Sequence, residues 1–148
     1  AFTPIQLVNY VASIGNGGKL YTPHLVRKKV DVNGIVTETE IKYRDTTAKL
    51  STIKAVQKGM VAVANSQDGT AVEIFRDFPF DVAGKTGTAE TAQKGKQSSN
   101  ALFVCYAPAD DPEIAVAVVV ERGVRGAFTA PIAKDVLTAY FNLKGQAN

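Results

Sequence analysis

Four consecutive residues, Lys85, Thr86, Gly87 and Thr88, bring a cation, two hydroxyls and a glycine together on a predicted strand. An edge strand can bind an extended peptide through its unpaired amides and carbonyls. Gly87 lets a ligand backbone come close, Lys85 and Thr86 can hold a carboxylate, and a backbone N–H at the strand end can stabilise an oxyanion. The stretch therefore predicts a strand that binds an acylated peptide. Taken alone, it also fits a surface strand that ends in a glycine turn.

The other residues with useful chemistry suggest no second site. The chain has one His and one Cys, fewer than a zinc site requires, so we expect no metal and no cofactor, although a site of carboxylates alone stays open. Cys105 lies in an apolar run and is expected in the core. His24 is expected to be structural, and Glu90 and Glu121 to be solvated at strand ends.

Length and composition indicate one ordinary domain over residues 1–148. With 148 residues, of which 45% are hydrophobic and 21% charged, the chain can form a hydrophobic core without disulfide bonds or bound metal. The net charge of +3 comes from scattered basic residues, which argues against nucleic acid as a partner. No apolar run approaches the roughly 20 residues of a membrane span. Because the chain begins with Ala1 and shows no signal-like segment, we expect a processed or cut form.

The first half is predicted to hold two helices separated by a surface hairpin. Thr3 and Gln6 stand at capping-box spacing, so a helix begins there and ends at the glycines of 15–18. Asn33 and Gly34 predict a type I′ turn between strands over 25–32 and 35–41. Ser51 is the expected N-cap of a helix over about 52–64.

The second half is predicted to be rich in strands. After a short helix or turn over 71–75, the apolar patterns predict strands over 82–90, 101–107 and 113–121, with a polar loop over 91–99. Short connections favour an antiparallel three-strand meander. A last helix, capped by Thr129 and starting near Pro131, is expected to bury the apolar residues Ile132, Val136, Leu137 and Tyr140. The fold class is therefore α+β, an antiparallel sheet packed with helices.

The stretch from Lys85 to Glu90 resembles the third active-site motif of the penicillin-binding proteins. Residues 3–7, 16–18 and 23–26 are similar to the segment that follows the second motif in class B members. Residues 103–108, 114–121 and 130–133 resemble their closing strands and C-terminal helix. The chain thus resembles the C-terminal part of a class B transpeptidase domain, which has the serine β-lactamase/transpeptidase-like fold.

This resemblance implies roles for the matching residues. Lys85 would lie beside the active-site hydroxyls and favour an anionic substrate. Thr86 and Thr88 would bind the terminal carboxylate of a D-alanyl-D-alanine stem peptide, or of a β-lactam, and Gly87 would keep the strand surface open. The N–H of Thr88 would be one oxyanion donor. Lys85 and Thr88 are thus the expected catalytic residues, and Thr86, Gly87 and Thr88 the expected substrate-binding residues.

The resemblance also implies a Ser-x-x-Lys and a Ser-x-Asn motif, both before Lys85. Ser51 and Lys54 have the right spacing but follow the segment that should come after the second motif, and residues 98–100 follow Lys85. We therefore expect the nucleophile, its lysine base and a membrane anchor in an N-terminal portion outside this chain, and the isolated chain to be inactive. The enzyme would cross-link peptidoglycan on the outer face of a bacterial cytoplasmic membrane.

Alternatives to this interpretation stay open. The chain could be a non-catalytic module that binds cell-wall peptides or β-lactams, or part of a related β-lactamase or D,D-carboxypeptidase. The basic loop 122–126 is a further candidate for the lining of a cleft. The apolar strand 114–120 would be an exposed edge without its family neighbour, so we expect the isolated chain to self-associate there.

Overall fold

The computed structural model describes residues 2–93 and 96–146. Its helices are α1 Pro4–Gly15, α2 Leu50–Asn65, α3 Val72–Phe75 and α4 Ala130–Gln146, the last preceded by a 3₁₀ turn, Gly126–Thr129. Its strands are β1 Lys19–Tyr21, β2 Lys28–Val30, β3 Val36–Glu38, β4 Tyr43–Asp45, β5 Ala83–Gln93, β6 Lys96–Ala107 and β7 Ile114–Val120.

The central sheet has three antiparallel strands in the order β5-β6-β7. Phe103 on β6 lies opposite Thr86 on β5 and opposite Val118 on β7, so β6 is the middle strand. The meander predicted from the short connections is confirmed. The remaining strands form two small pairs, β1 with β4 and β2 with β3.

Helices cover both faces of this sheet. One core cluster joins α1 and α2 to the sheet and includes Val11, Met60 and Tyr106. The other cluster joins α3 and α4 to the opposite face and includes Phe103 and Leu137. Burial of apolar side chains on both faces stabilises the layered arrangement, and the predicted α+β class is confirmed.

The polar loop predicted over 91–99 is wrong for most of this stretch. Strands β5 and β6 continue through most of this stretch, with register pairs from Ala83 and Tyr106 to Gln93 and Lys96. Main-chain hydrogen bonds of a ladder do not require apolar side chains, so a polar hairpin can extend beyond the core. Residues 94 and 95 lie outside the described residues.

Two of the predicted N-caps, Thr3 and Ser51, have different outcomes. At α1 the capping box is present: the N–H of Thr3 donates to Oε1 of Gln6 at 2.8 Å, and the N–H of Gln6 donates to Oγ1 of Thr3 at 3.4 Å. The Ser51 cap is wrong, because α2 begins at Leu50 and its N-cap is Lys49. The carbonyl of Lys49 already accepts from the N–H groups of Thr52 and Ile53, which puts Ser51 inside the first turn.

The β2–β3 hairpin does not contain the predicted type I′ turn. Val30 pairs with Val36, and φ is positive at Gly34 but not at Asn33, whereas type I′ needs positive φ at both central residues. The carboxylate of Asp31 explains this, because its Oδ1 accepts from the N–H groups of Asn33 and Ile35, at 2.9 and 2.8 Å. This side chain favours a type I turn closed by a left-handed glycine.

The buried stripe of α4 differs from the prediction. The helix begins at Ala130, one residue before the predicted start, and its buried residues are Ala130, Ala133 and Leu137. Ile132 and Val136 are 47% and 43% exposed, so their predicted burial is wrong. The residues at 130, 133 and 137 face the sheet, and Val136 lies instead beside the unpaired edge of β7.

Candidate functional site

All four predicted site residues lie on β5, at a sheet edge. β5 pairs with β6 on one side, and no strand within residues 2–93 and 96–146 pairs with its other edge. The start of the strand is held by the core, because Val82 and Ala83 are fully buried. Lys85 and Thr88 are exposed. The strand is therefore anchored at one end and accessible where the predicted motif lies.

Strand alternation divides the four residues between the two faces of the sheet. Lys85 and Gly87 lie opposite Val104 and Leu102, on the face covered by α1 and α2. Thr86 lies opposite Phe103, on the face covered by α3 and α4, and Thr88 shares that face. An extended ligand along the open edge can be reached from both faces.

Lys85 is the cation of the site. Its Nζ donates to the carbonyl oxygen of Thr86 at 2.5 Å, and within the described residues its ammonium group forms no ion pair with a carboxylate. An exposed ammonium without a neighbouring carboxylate attracts anions. The side chain can therefore favour a negatively charged ligand at this edge.

Each threonine hydroxyl is held by a neighbouring segment. Oγ1 of Thr86 lies 3.0 Å from Oγ1 of Thr70, which belongs to the connection between α2 and α3. Oγ1 of Thr88 accepts from the N–H of Gly126 at 3.3 Å, at the start of the 3₁₀ turn. Sequence reasoning missed Thr70 and included Gly126 only as part of the candidate basic loop 122–126, because no spacing rule connects residues so distant in the chain.

The side-chain face of Gly87 has room for a methyl group. A Cβ added there would be 3.5 Å from the nearest atom, Cβ of Leu102, which is ordinary van der Waals contact. The backbone of Gly87 is instead closely approached by Gly126, where an added Cβ would lie only 2.3 Å from the Gly87 oxygen. The 3₁₀ turn therefore packs directly against the motif strand because residue 126 is a glycine.

The basic loop 122–126 connects β7 to this turn in an unusual conformation. Arg122 and Val124 both have positive φ, 59° and 55°, which is costly for a β-branched residue. The N–H of Arg125 donates to the Gly123 oxygen at 2.6 Å, closing a tight turn. Both arginines are exposed, so the loop carries positive charge next to the turn that contacts Gly87.

The two motif-like serine stretches do not join this site. Ser51 and Lys54 are exposed in the first turns of α2, and in the described part of the chain no hydrogen bond connects them to each other or to Lys85. Residues 98–100 lie in β6, where Oδ1 of Asn100 accepts from the N–H of Arg122 at 3.2 Å. Asn100 thus holds the basic loop.

The remaining candidates have structural surroundings. Cys105 is fully buried, and burial raises the pKa of its thiol to about 12, so it carries no thiolate at neutral pH. Nδ1 of His24 is 3.3 Å from the carbonyl of Thr22 on an exposed loop. Glu90 and Glu121 are exposed. Within 2–93 and 96–146 no three His, Cys, Asp or Glu side chains are grouped as a metal site would need.

Comparison with known proteins gives the family. Residues 1–138 match the model of the penicillin binding protein transpeptidase domain. The chain is 32% identical to the peptidoglycan D,D-transpeptidase MrdA of Haemophilus influenzae, covering 95% of this chain and 24% of that protein. It is 35% identical to penicillin-binding protein 2A of Bacillus subtilis, covering 98% and 23%. The chain belongs to the penicillin-binding protein transpeptidase family.

Solved structures agree with this membership. Penicillin-binding protein 2B of Streptococcus pneumoniae strain R6 matches with a TM-score of 0.81 at 28% identity, over 96% of this chain and 25% of that one. The D,D-transpeptidase domain of a peptidoglycan glycosyltransferase from Eggerthella lenta matches with a TM-score of 0.82 at 30% identity, over 97% and 33%. The predicted resemblance is confirmed: the chain is the C-terminal part of a class B transpeptidase domain.

The chain spans about a quarter of the length of the curated relatives named above. None of its helices in the described ranges is both long enough and apolar enough to cross a bilayer.

Proposed function

We propose that this chain supplies the substrate-binding strand of a peptidoglycan D,D-transpeptidase, which cross-links stem peptides by serine acyl transfer. The observation that carries this proposal is the open edge of β5, where Lys85 and the two threonine hydroxyls stand around an uncrowded glycine. A stem peptide ending in D-alanyl-D-alanine is extended and anionic, and it can add to such an edge through main-chain hydrogen bonds. A β-lactam would bind as a mimic of this peptide.

In the proposed complex, each motif residue has its own role. Thr86 and Thr88 donate their hydroxyl protons to the terminal carboxylate, and Lys85 contributes positive charge. Gly87 allows the ligand backbone to lie against the strand. The N–H of Thr88 donates to the oxyanion that forms when a serine attacks the ligand carbonyl.

We further propose that the attacking serine and its lysine base lie in the same protein outside these residues. A serine nucleophile needs an adjacent base, and in the described part of the chain no hydrogen bond connects Ser51 or Lys54 to the β5 motif. The isolated chain is therefore inactive. The whole protein would work on the outer face of the bacterial cytoplasmic membrane, anchored by a segment outside this chain.

The test uses the full-length protein and benzylpenicillin. We expect Lys85→Ala to slow acylation about 100-fold or more, because it removes charge stabilisation at the reacting centre. Intact mass spectrometry follows the covalent adduct, and Lys54→Ala is the matched control, with a rate within about two-fold of the parent. Equal effects of the two lysine variants would contradict the proposal.

The same experiment separates the alternative functions. A persistent benzylpenicillin adduct, together with transfer of the acyl group of a D-alanyl-D-alanine peptide to an amine acceptor, supports a transpeptidase. Rapid loss of the adduct to water would instead indicate a β-lactamase or D,D-carboxypeptidase. A full-length protein that binds penicillin without an adduct would be a binding module, whereas an adduct on Ser51 would make Ser51 and Lys54 the catalytic pair.

We also propose that the isolated chain self-associates through β7. This strand pairs only with β6 among the described strands, and Ile5, Val8 and Val136 form an apolar groove along its other edge. All side chains of Ile114–Val120 are apolar, so two copies can pair antiparallel without charge repulsion. The occupant of the groove is thus a second copy of the chain.

Sedimentation velocity over a concentration series tests this association. We expect a dimer that Ile5→Lys abolishes, since residue 5 is 56% exposed beside the edge. Ile41→Lys, at a position 65% exposed between β3 and β4, is the matched control and should leave the dimer intact. A monomer at every concentration would show that the edge does not pair.

A further inference from the structure

We propose that Thr70 is a positioning residue for the ligand-binding hydroxyl of Thr86. This inference rests on the proposed function, in which Thr86 binds the terminal carboxylate of the substrate. The two Oγ1 atoms are 3.0 Å apart, within hydrogen-bond distance. Thr70 does not belong to the motif. It precedes α3, whereas the motif lies on β5, after α3.

The segment around Thr70 is tightly fixed to the end of α2. A Cβ at Gly69 would be 2.5 Å from the carbonyl oxygens of Ala62 and Val63, so only glycine fits there. The N–H of Ala71 donates to the Val63 oxygen at 2.9 Å. Thr70 therefore lies between a glycine packed too closely on α2 to carry a side chain and a residue hydrogen-bonded to the same helix.

The same segment is also fixed to the motif strand. Nδ2 of Asn65 donates to the carbonyl of Val82 at 2.8 Å, which ties the last turn of α2 to the start of β5. Ala71 is fully buried, and Phe75 stacks on Phe103 with ring centroids 5.8 Å apart. Because Phe103 is the register partner of Thr86, the core that holds α3 also sets the distance between the two hydroxyls.

The direction of this hydrogen bond follows from the chemistry of a hydroxyl group. A threonine hydroxyl has one proton and two acceptor lone pairs. When Thr86 donates its proton to a carboxylate, only its lone pairs remain for Thr70, so Thr70 must be the donor. Donation by Thr70 fixes the rotation of the Thr86 hydroxyl and polarises it toward the anion.

This arrangement contributes little to folding. Thr70 is exposed and Thr86 is half-buried, and a hydrogen bond in contact with water exchanges for bonds to solvent at little net gain. Orientation of a donor toward a charged ligand is worth more than the same bond in the free protein. Removal of the Thr70 hydroxyl should therefore weaken ligand binding and leave the stability of the fold nearly unchanged.

The test compares Thr70→Val and Thr70→Ser in the full-length protein. The probes are benzylpenicillin and its methyl ester, which lacks the free carboxylate. We expect Thr70→Val to slow acylation by benzylpenicillin about 5- to 10-fold, and to leave the slower reaction with the ester within about two-fold of the parent. Thr70→Ser, which keeps the hydroxyl, should restore the parental rate with benzylpenicillin.

A double-mutant cycle with Thr86→Val completes the experiment. If Thr70 acts through Thr86, Thr70→Val should cause no further loss when Thr86 is already valine. Equal losses with benzylpenicillin and its ester, or no loss at all, would overturn the Thr70 proposal. If Thr86→Val itself does not weaken the preference for the free carboxylate, the proposed role of Thr86 fails first.

Discussion

The two glycines of the motif strand differ in what surrounds them. A Cβ at Gly84 would be 2.8 Å from Cζ of the buried Phe103, whereas a Cβ at Gly87 would meet nothing closer than 3.5 Å. Only two residues separate these positions, and both are on β5. Gly84 is needed because the core leaves no room for a side chain, while the described residues leave room for a methyl group at Gly87. One strand is thus tightly packed at its start and less crowded in its middle, where we propose that the ligand binds.

The largest expected effect is on stability, at the start of β5 where Gly84 packs against the core. Gly84→Ala should destabilise the domain by about 1–3 kcal/mol, because the new methyl group overpacks the core against the Phe103 ring. Thermal unfolding of the full-length protein measures this as a lower Tm. An unchanged Tm would mean that the ring can shift aside, and the contrast between the two glycines would disappear.

Gly87→Ala should have the opposite signature. Its methyl group has ordinary contacts within the protein, so we expect a change in stability within about 0.5 kcal/mol. The methyl group projects into the space proposed for the ligand, so acylation by benzylpenicillin should slow roughly 10-fold. If Gly87→Ala instead lowered the Tm and left the acylation rate at the parental value, Gly87 would serve packing and not ligand binding.

The pH dependence of stability is a smaller effect, expected at the start of β5 where Gly84 packs against the core. Cys105 is the register partner of Gly84, and burial raises the pKa of its thiol from 9.0 to about 12. The unfolded chain therefore ionises first, and the stability from the protonated thiol is complete below pH 9 and lost as the pH rises toward 12.

At pH 10 this loss should be about 1.4 kcal/mol. Urea unfolding at pH 7 and pH 10 measures it, and Cys105→Ala serves as the control that lacks the thiol but keeps all other titrating groups. The difference between the two proteins isolates the contribution of the cysteine. An equal pH dependence in both would show that the thiol is not protected by burial.

Local signals predicted those elements whose determinants lie close together in the chain. The capping box of α1 needs only Thr3 and Gln6, and the meander needs only apolar strands with short connections. The motif on β5 was recognisable because its four residues are consecutive. In each case the determinants lie within one segment or in segments joined by short connections, so composition and spacing contain the information.

The incorrect predictions come from competition between local options. Ser51 is a good capping residue, but the helix starts at Leu50, two residues before the predicted start at residue 52. Asn33 and Gly34 favour a type I′ turn, but the Asp31 carboxylate binds two amides and favours another turn. The polar stretch after Glu90 has few apolar residues, yet its backbone is paired with β6. Residue propensities rank these local conformations. They do not include the hydrogen bond or strand pairing that decides between them.

The amino-acid sequence thus carried the fold class through the periodicity of its elements, and the family through the resemblance of short segments such as residues 85–90. Only the tertiary structure decided which groups hold the motif: Thr70 at the hydroxyl of Thr86, Gly126 against the backbone of Gly87, and Phe103 against Gly84. These contacts join segments that are 16 to 39 residues apart. Their geometry is set by the packing of α2, α3 and the 3₁₀ turn onto one sheet, and no local pattern encodes that packing.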